Sequence, residues 1–169
     1  MTRQIVIRDL PRGRLTADHF ELRETDLPAP GEGEARIRTI LMSIDAANRA
    51  WMQGATYRDA VKAGDVMHTY AIGQVEASND PALAPGDIVA AEAGWAEEVN
   101  IKARRALKLP HVRPLSHLIS VYGIAGKTAY HGLVQVGRPK SGETVVVSAA
   151  AGSVTTHATC SRMLAICKR

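Results

Sequence analysis

Thr144-Val145-Val146-Val147-Ser148-Ala149-Ala150-Ala151-Gly152-Ser153-Val154 decides how this chain is read. Side chains branched at Cβ crowd a helix and suit a strand. A continuous apolar run, without polar alternation, belongs to a strand buried on both faces, as in a parallel sheet. The small residues that follow allow a sharp turn and a close approach of ligand to backbone. Strand, small-residue turn and helix start together open a dinucleotide-binding βαβ unit. Such a unit continues through a helix and a second strand to a charged residue about 20 positions on. Fifteen residues follow Val154 here. The expectation is a cofactor domain represented by its first strand and at most one helix.

Upstream of this stretch the pattern is different. Arg138 to Thr144 is a loop with Pro139 and Gly142. Before it, Thr128, Ala129, Leu133 and Val136 suggest a short helix ending at Gly137, and Leu115, Leu118, Ile119 and Tyr122 fall at helical spacing behind Pro114, with Ser116 near the start. Gly123 and Gly126 are expected to break that run. Ahead of Pro114 lie short strands with turn chemistry between them: Gln4–Arg8, Phe20–Glu24, Glu34–Met42, Ala71–Ala77, Ile88–Ala91, Trp95–Asn100 and Ala106–Leu109. Leu27 to Gly33 and Pro85-Gly86-Asp87 are turn clusters. Many short strands at close spacing imply a barrel or a sandwich. The expected organisation is a mainly β domain over 1–113, connecting helices and one strand with its turn over 114–154, and an atypical tail over 155–169.

Composition narrows the function class. The 169 residues are 46% hydrophobic and 22% charged, values of a globular domain. The net charge of +4 comes largely from Arg162, Lys168 and Arg169, which leave 18 basic and 17 acidic groups before Thr155. A near-neutral body argues against a nucleic-acid partner. The cluster Lys102, Arg104, Arg105 and Lys108 reads as a solvated edge. No apolar run is long enough to span a bilayer, and the charge-interrupted N-terminus is not a signal sequence, so a cytoplasmic protein is expected. The only cysteines are Cys160 and Cys167 in the tail, and the six histidines show no paired metal-ligand spacing. Neither a disulfide framework nor a metal site follows. Cys160, Met163, Leu164 and Cys167 fall on one side of a potential tail helix.

Three ordered blocks point to a family. Leu41 to Met52, with Ser43, Asp45, Arg49, Trp51 and Met52, resembles the "SxDPxxRxWM" region of the zinc-independent medium-chain dehydrogenase/reductases. Tyr122 to Leu133 is similar to the "GxxGxTAYxGL" segment, and Gly142 to Val154 to the "GETVxVSAAAGxVG" segment, of the branch of leukotriene B4 12-hydroxydehydrogenase, prostaglandin reductase and alkenal reductase. The resemblance covers residues 1 to 154. It implies a GroES-like twisted β-barrel followed by a Rossmann domain, NADP(H) as cofactor, and reduction of the activated C=C bond of an alkenal or enone. A quinone reductase of the same superfamily is a near alternative. A non-catalytic barrel, acting as a binding module or standing as an inert fragment, is the alternative from another class. The chain departs from the pattern in three places. Ala46 stands where the family has proline, Lys127 where it has an apolar residue, and Thr155 where it has the second phosphate-turn glycine. The match ends there, so residues from about 155 onward are expected to be an aberrant or out-of-frame C-terminus, and the isolated chain to be inactive.

The resemblance also implies site residues. Gly152, Ser153 and Val154 would meet a cofactor diphosphate through backbone N–H groups, with Ala149 and Ala150 packed beneath the dinucleotide. Thr128 and Tyr130 would line the nicotinamide side of a cleft between domains. Asp45, Asn48, Arg49 and Tyr57 are the substrate-cleft candidates. Each has a structural alternative: a turn before the tail helix, small core residues, a helix-start threonine with a core tyrosine, an Asp45–Arg49 ion pair, a surface tyrosine. No catalytic residue is assigned, because the family's catalytic tyrosine falls in the half that is not matched. A small-molecule substrate is the expected partner, and an unpaired strand at Val145–Ser148 is expected to favour a homo-oligomer or to fray.

Overall fold

Antiparallel pairing between strands close in sequence builds the first part of the molecule. A computed structural model describes residues 1–110 and 112–156, and the chain divides into two units, Met1–His111 and Val112–Arg169. In the first unit, β1 (Thr2–Ile7) pairs with β2 (Phe20–Thr25). A five-stranded antiparallel sheet runs in the order β6-β3-β4-β5-β7. Its strands are β3 (Glu34–Met42), β4 (Tyr70–Ser78), β5 (Ile88–Glu92), β6 (Glu98–Lys102) and β7 (Leu107–Lys108). β1 and β2 form a separate two-stranded sheet, and isolated bridges Gln4–Ala96 and Val6–Val66 tie β1 to the segments that lead into β6 and β4, within the mainly β architecture read from the sequence.

Period-two patterning decides what faces inward. Ala35 and Ile37 of β3, Ala71 and Val75 of β4, Val89 and Ala91 of β5 and Ile101 of β6 fill one core cluster. The residues between them turn outward and find polar partners. Arg38 donates to Glu76 Oε1 at 2.7 Å and to Gln74 Oε1 at 3.0 Å, while Arg36 reaches Leu27 O at 2.9 Å. Each fully buried Ile or Val side chain of this set contributes on the order of 1.5–3 kcal/mol. β3 slips register against β4 at Arg36/Ile37 and at Thr39/Leu41. Gly73 allows the close approach at this irregularity, since a Cβ there would lie 2.8 Å from Arg38 O.

A second cluster gathers Ile7, Trp51, Met52, Val61 and Met67, with Phe20, Ala47 and Trp95 packed against it. It seats α1 (Ala46–Trp51) beside β1. The strand expected from Trp95 instead starts at Glu98. Trp95 exchanges backbone hydrogen bonds with Ile5 and Met67, so that segment serves β1 before it reaches β3.

In the second unit, α2 spans Ser116–Ile119 and α3 spans Ile124–Tyr130. A π-helical turn, His131–Gly137, continues α3 and ends at Arg138 with φ 46°. The predicted helix end at Gly137 is therefore met by a wider coil. Gly126, expected to break a helix, lies inside α3 because the backbone passes so close that a Cβ would sit 1.8 Å from Val121 O. Residues 143–147 enter no ladder among the described residues, and Val146 is 87% exposed. The predicted strand Val145–Ser148 thus stands without the neighbours its β-branched sequence calls for. Its turn, residues 148–151, leads into helical backbone at 153–156. The predicted tail helix through Cys160 and Cys167 lies outside the described residues.

Candidate functional site

The motif Ser43–Met52 folds into a capped helix start. Asp45 is the N-cap of α1 in a capping box with Asn48, whose Oδ1 accepts from Asp45 N at 2.7 Å. Ser43 Oγ donates to Asp45 Oδ2 at 2.6 Å, which fixes the carboxylate. Asn48 is buried, and its Nδ2 donates to His68 O at 2.7 Å, so both ends of its amide are engaged by the fold. Losing such a buried pair costs about 1–3 kcal/mol, so the Asn48 amide serves the fold here. Arg49 makes no ion pair with Asp45. Its Nη2 donates to Gly13 O at 2.8 Å and holds the loop between β1 and β2, while its Nη1 is buried without a partner among the described residues. Thr69, buried beside this helix start, donates its hydroxyl to Ser43 O. The site's exposed members on this helix are therefore Asp45 and, in part, Arg49.

The loop after α1 carries an arrangement that motif matching missed. Trp51, the last residue of α1, is only 7% exposed. The Arg58 guanidinium lies 4.8 Å from the centre of its ring and donates to both carboxylate oxygens of Glu92, at 3.2 Å each. Tyr57 meets the same indole edge-on, with ring centroids 6.0 Å apart and planes at 82°, yet is 83% exposed. The cation–π contact contributes roughly 0.5–2 kcal/mol. The ion pair adds at most about 1 kcal/mol, because Glu92 is 69% exposed. The available signal was compositional: Trp51, Tyr57 and Arg58 fall within eight positions of a chain that is 4% aromatic.

In the second unit Thr128 and Tyr130 occupy α3 on either side of buried Ala129. Residues two apart on a helix point away from each other, so the two do not share a face. Tyr130 packs edge-on to His131 at 6.3 Å, and its hydroxyl accepts from Gln135 Nε2 at 3.5 Å.

The small-residue turn has its own geometry. Ala149 takes a left-handed φ of 52°, and Gly152 N donates to Ala149 O at 2.9 Å. Thr155 is in the helical segment, so the residue standing where the family has glycine does not need a positive φ. Its Oγ1 donates to Ala149 O at 2.6 Å and to Gly152 O at 3.0 Å, and Thr156 Oγ1 donates to Ala150 O at 2.8 Å. A Cβ at Gly152 would lie 3.1 Å from Thr155 Oγ1 and 3.3 Å from Ala149 O, tighter than ordinary contact. Ala149, Ala150, Gly152 and Ser153 are all exposed, with Val154 half-buried behind them. A turn of small, exposed residues opening a helix fits part of a nucleotide phosphate cradle.

Two charge pairs and one phenol have shifted acidities. The backbone N–H of Gly31 and the Lys102 ammonium hold the Glu34 carboxyl below its ordinary range, and Arg3 does the same for Glu97. Burial pushes the Tyr70 phenol up. Among the described residues no group of three His, Cys, Asp or Glu side chains could hold a metal ion. No helix of the described residues is long and apolar enough to cross a membrane.

Known proteins share this architecture and its sequence. Residues 3–109 match a family model described as the N-terminal domain of oxidoreductase. The NADPH-dependent curcumin reductase of Escherichia coli is 36% identical over 154 residues, 90% of this chain and 45% of that protein. Prostaglandin reductase 1 of Oryctolagus cuniculus is 35% identical over 146 residues, 84% of this chain and 40% of that protein. The crystal structure of CurA from Vibrio vulnificus superimposes with a TM-score of 0.87 at 35% identity, over 97% of this chain and 49% of that one. Its complex with NADPH gives 0.85 at 34% identity, over 96% and 49%. The chain thus spans about half the length of these relatives. A matched domain model over most of the chain, the same ordered motifs and the same fold at this identity place it together: the chain belongs to the zinc-independent medium-chain dehydrogenase/reductases, in the prostaglandin and alkenal reductase branch, through its N-terminal oxidoreductase domain.

Proposed function

We propose that this chain supplies the barrel and the first phosphate turn of an NADP(H)-dependent reductase acting on the activated C=C bond of an alkenal or enone. The observation that carries the reading is the turn Ala149–Val154, whose small exposed residues precede a helix start in a chain of this family. Gly152, Ser153 and Val154 would line a diphosphate, with Ala149 and Ala150 beneath; the Gly152 N–H, held by Ala149 O in this turn, would have to exchange that partner for the ligand. Thr155 and Thr156 tie the turn's carbonyls back through their hydroxyls, which braces the turn. Thr128 and Tyr130, which face apart on α3, are alternative candidates for the nicotinamide end, and Asp45, Asn48, Arg49 and Tyr57 for the substrate side. When bound, NADPH supplies a hydride to the β-carbon of the conjugated system. The barrel's task is to hold a substrate and exclude water, with no metal in the reaction.

The test is a titration of the chain with NADPH, read by tryptophan-to-nicotinamide energy transfer and by thermal shift, followed by enone-dependent NADPH consumption. Saturable binding that is lost in Gly152→Val supports the reading. Failure of the wild-type chain to bind NADPH overturns the phosphate-turn role and leaves the non-catalytic barrel module as the better description; no turnover is expected from the isolated chain, and enone-dependent NADPH consumption by it would overturn that inactivity.

A further inference from the structure

β2 is an edge strand. β1 pairs along one side of it, and among the described residues Glu21 to Thr25 make no backbone hydrogen bond to any other segment. Glu21, Leu22, Arg23 and Glu24 are all exposed, Leu22 by 64%. An open edge of this kind is a template for one more strand. Leu22 stands opposite Ile5 in the register with β1, and with Met42, Trp95 and Ala96 it lines a largely apolar cavity of about 230 Å³. Its exposed side chain is the outer end of an apolar surface, not an isolated leucine among charges.

The order of charges around Leu22 selects what can pair there. Glu21 and Arg23 lie on one face of the strand and Leu22 on the other. Within the chain, Arg23 Nε donates to Glu21 Oε1 at 3.2 Å. In an antiparallel pair of identical strands, a two-fold axis at Leu22 sets Leu22 against its own copy and each Glu21 against the other copy's Arg23. The two neighbouring two-fold registers, centred on Glu21 or on Arg23, set like charges directly opposite, which is destabilising. Glu-Leu-Arg is therefore complementary to itself in one register and repelled in the next on either side.

We propose that the outer edge of β2 pairs antiparallel with β2 of a second copy of this chain, about a two-fold axis at Leu22, with Glu21 and Arg23 exchanging partners between the copies. Backbone hydrogen bonds supply the attraction, Leu22 the apolar contact and the two charge pairs the register. Six residues a side make a small interface, in the class of weak, transient contacts below about 1,200 Å².

Sedimentation equilibrium of the full chain, over a concentration series reaching about 1 mM, is the test. The wild-type chain should follow a monomer–dimer equilibrium that weakens as salt is added. Glu21→Arg and Arg23→Glu should each raise the dissociation constant about tenfold or more, because two attractions become two repulsions. An equimolar mixture of these two variants should associate about as tightly as wild type, since each supplies the charge the other lacks. The double variant should do the same alone. Leu22→Lys should weaken the dimer, and Val146→Lys, in the other exposed strand-like segment, should leave it unchanged. All these positions are exposed, so urea midpoints should stay near wild type. Should one single variant fail to fold, the double variant against Leu22→Lys carries the test. A wild-type chain that remains monomeric, a variant mixture that fails to associate, or an association that the single β2 variants leave intact or Val146→Lys abolishes overturns the inference.

Discussion

Ile37 and Val146 are both β-branched residues in segments that read as strands, and one is fully buried while the other is 87% exposed. Ile37 sits in β3, with β4 and β6 laddered on its two sides. Val146 has no ladder on either side among the described residues. The lesson is about where each strand's partners lie. The antiparallel neighbours of β3 arrive within its own unit, β4 after residues 43–69 and β6 further along the chain. A strand for a parallel sheet requires a crossover of a dozen or more residues for each neighbour. Propensity is the same in both, and pairing makes the difference.

The largest effect that sharpens this contrast is expected in the first core. Ile37→Ala should cost about 2–5 kcal/mol in urea unfolding, while Val146→Ala should stay within about 0.5 kcal/mol. Equal losses at the two positions would break the comparison. Next comes the buried amide that caps α1. Asn48→Ala should cost about 1–3 kcal/mol, because Asp45 N and His68 O lose their partner in a site closed to water. Of similar size is Gly73→Ala, at about 1–3 kcal/mol, since the added methyl meets Arg38 O where β3 is irregular. Its counterpart Gly126→Ala should reduce helical circular dichroism from the second unit and leave amide exchange in β3 and β4 unchanged. The smallest effect is electrostatic. Glu34 and Glu97 have lowered folded-state pKa values, so their stabilisation is full above the unfolded value of about 4.3 and is lost as the pH falls through their lower folded values. The urea midpoint should decline from about pH 5 downward, and Glu97→Gln should flatten that decline. A midpoint that declines as steeply in the variant would remove the Arg3–Glu97 pair from the account.

Legibility followed the range of the interaction. β3 was readable to its ends, Glu34–Met42, because alternation of Arg36 and Arg38 with Ala35 and Ile37 is a purely local signature of a half-buried strand. The strand near Trp95 was misplaced by three residues, since its first residues pair with β1, more than ninety positions away in sequence. Gly126 read as a breaker because propensity weighs a glycine against helix, whereas the approach of Val121 O requires one there. Asp45, Asn48 and Arg49 were picked out by a motif. The motif could not say that Asn48 spends both ends on the backbone or that Arg49 turns to Gly13 instead of Asp45.

The sequence by itself determined the architecture of the barrel and the family. Period-two patterning, turn residues and three ordered motifs are local, and local patterns survive being written in one dimension. Only the tertiary structure decided which polar groups are left to meet a ligand. It brought Glu92 of β5 onto Arg58 and Arg58 onto Trp51, and it left Tyr57 in the open. Hydrogen bonds and ring contacts between residues thirty or more positions apart depend on how strands stack, and stacking is set by packing across the whole unit rather than by any one stretch of chain.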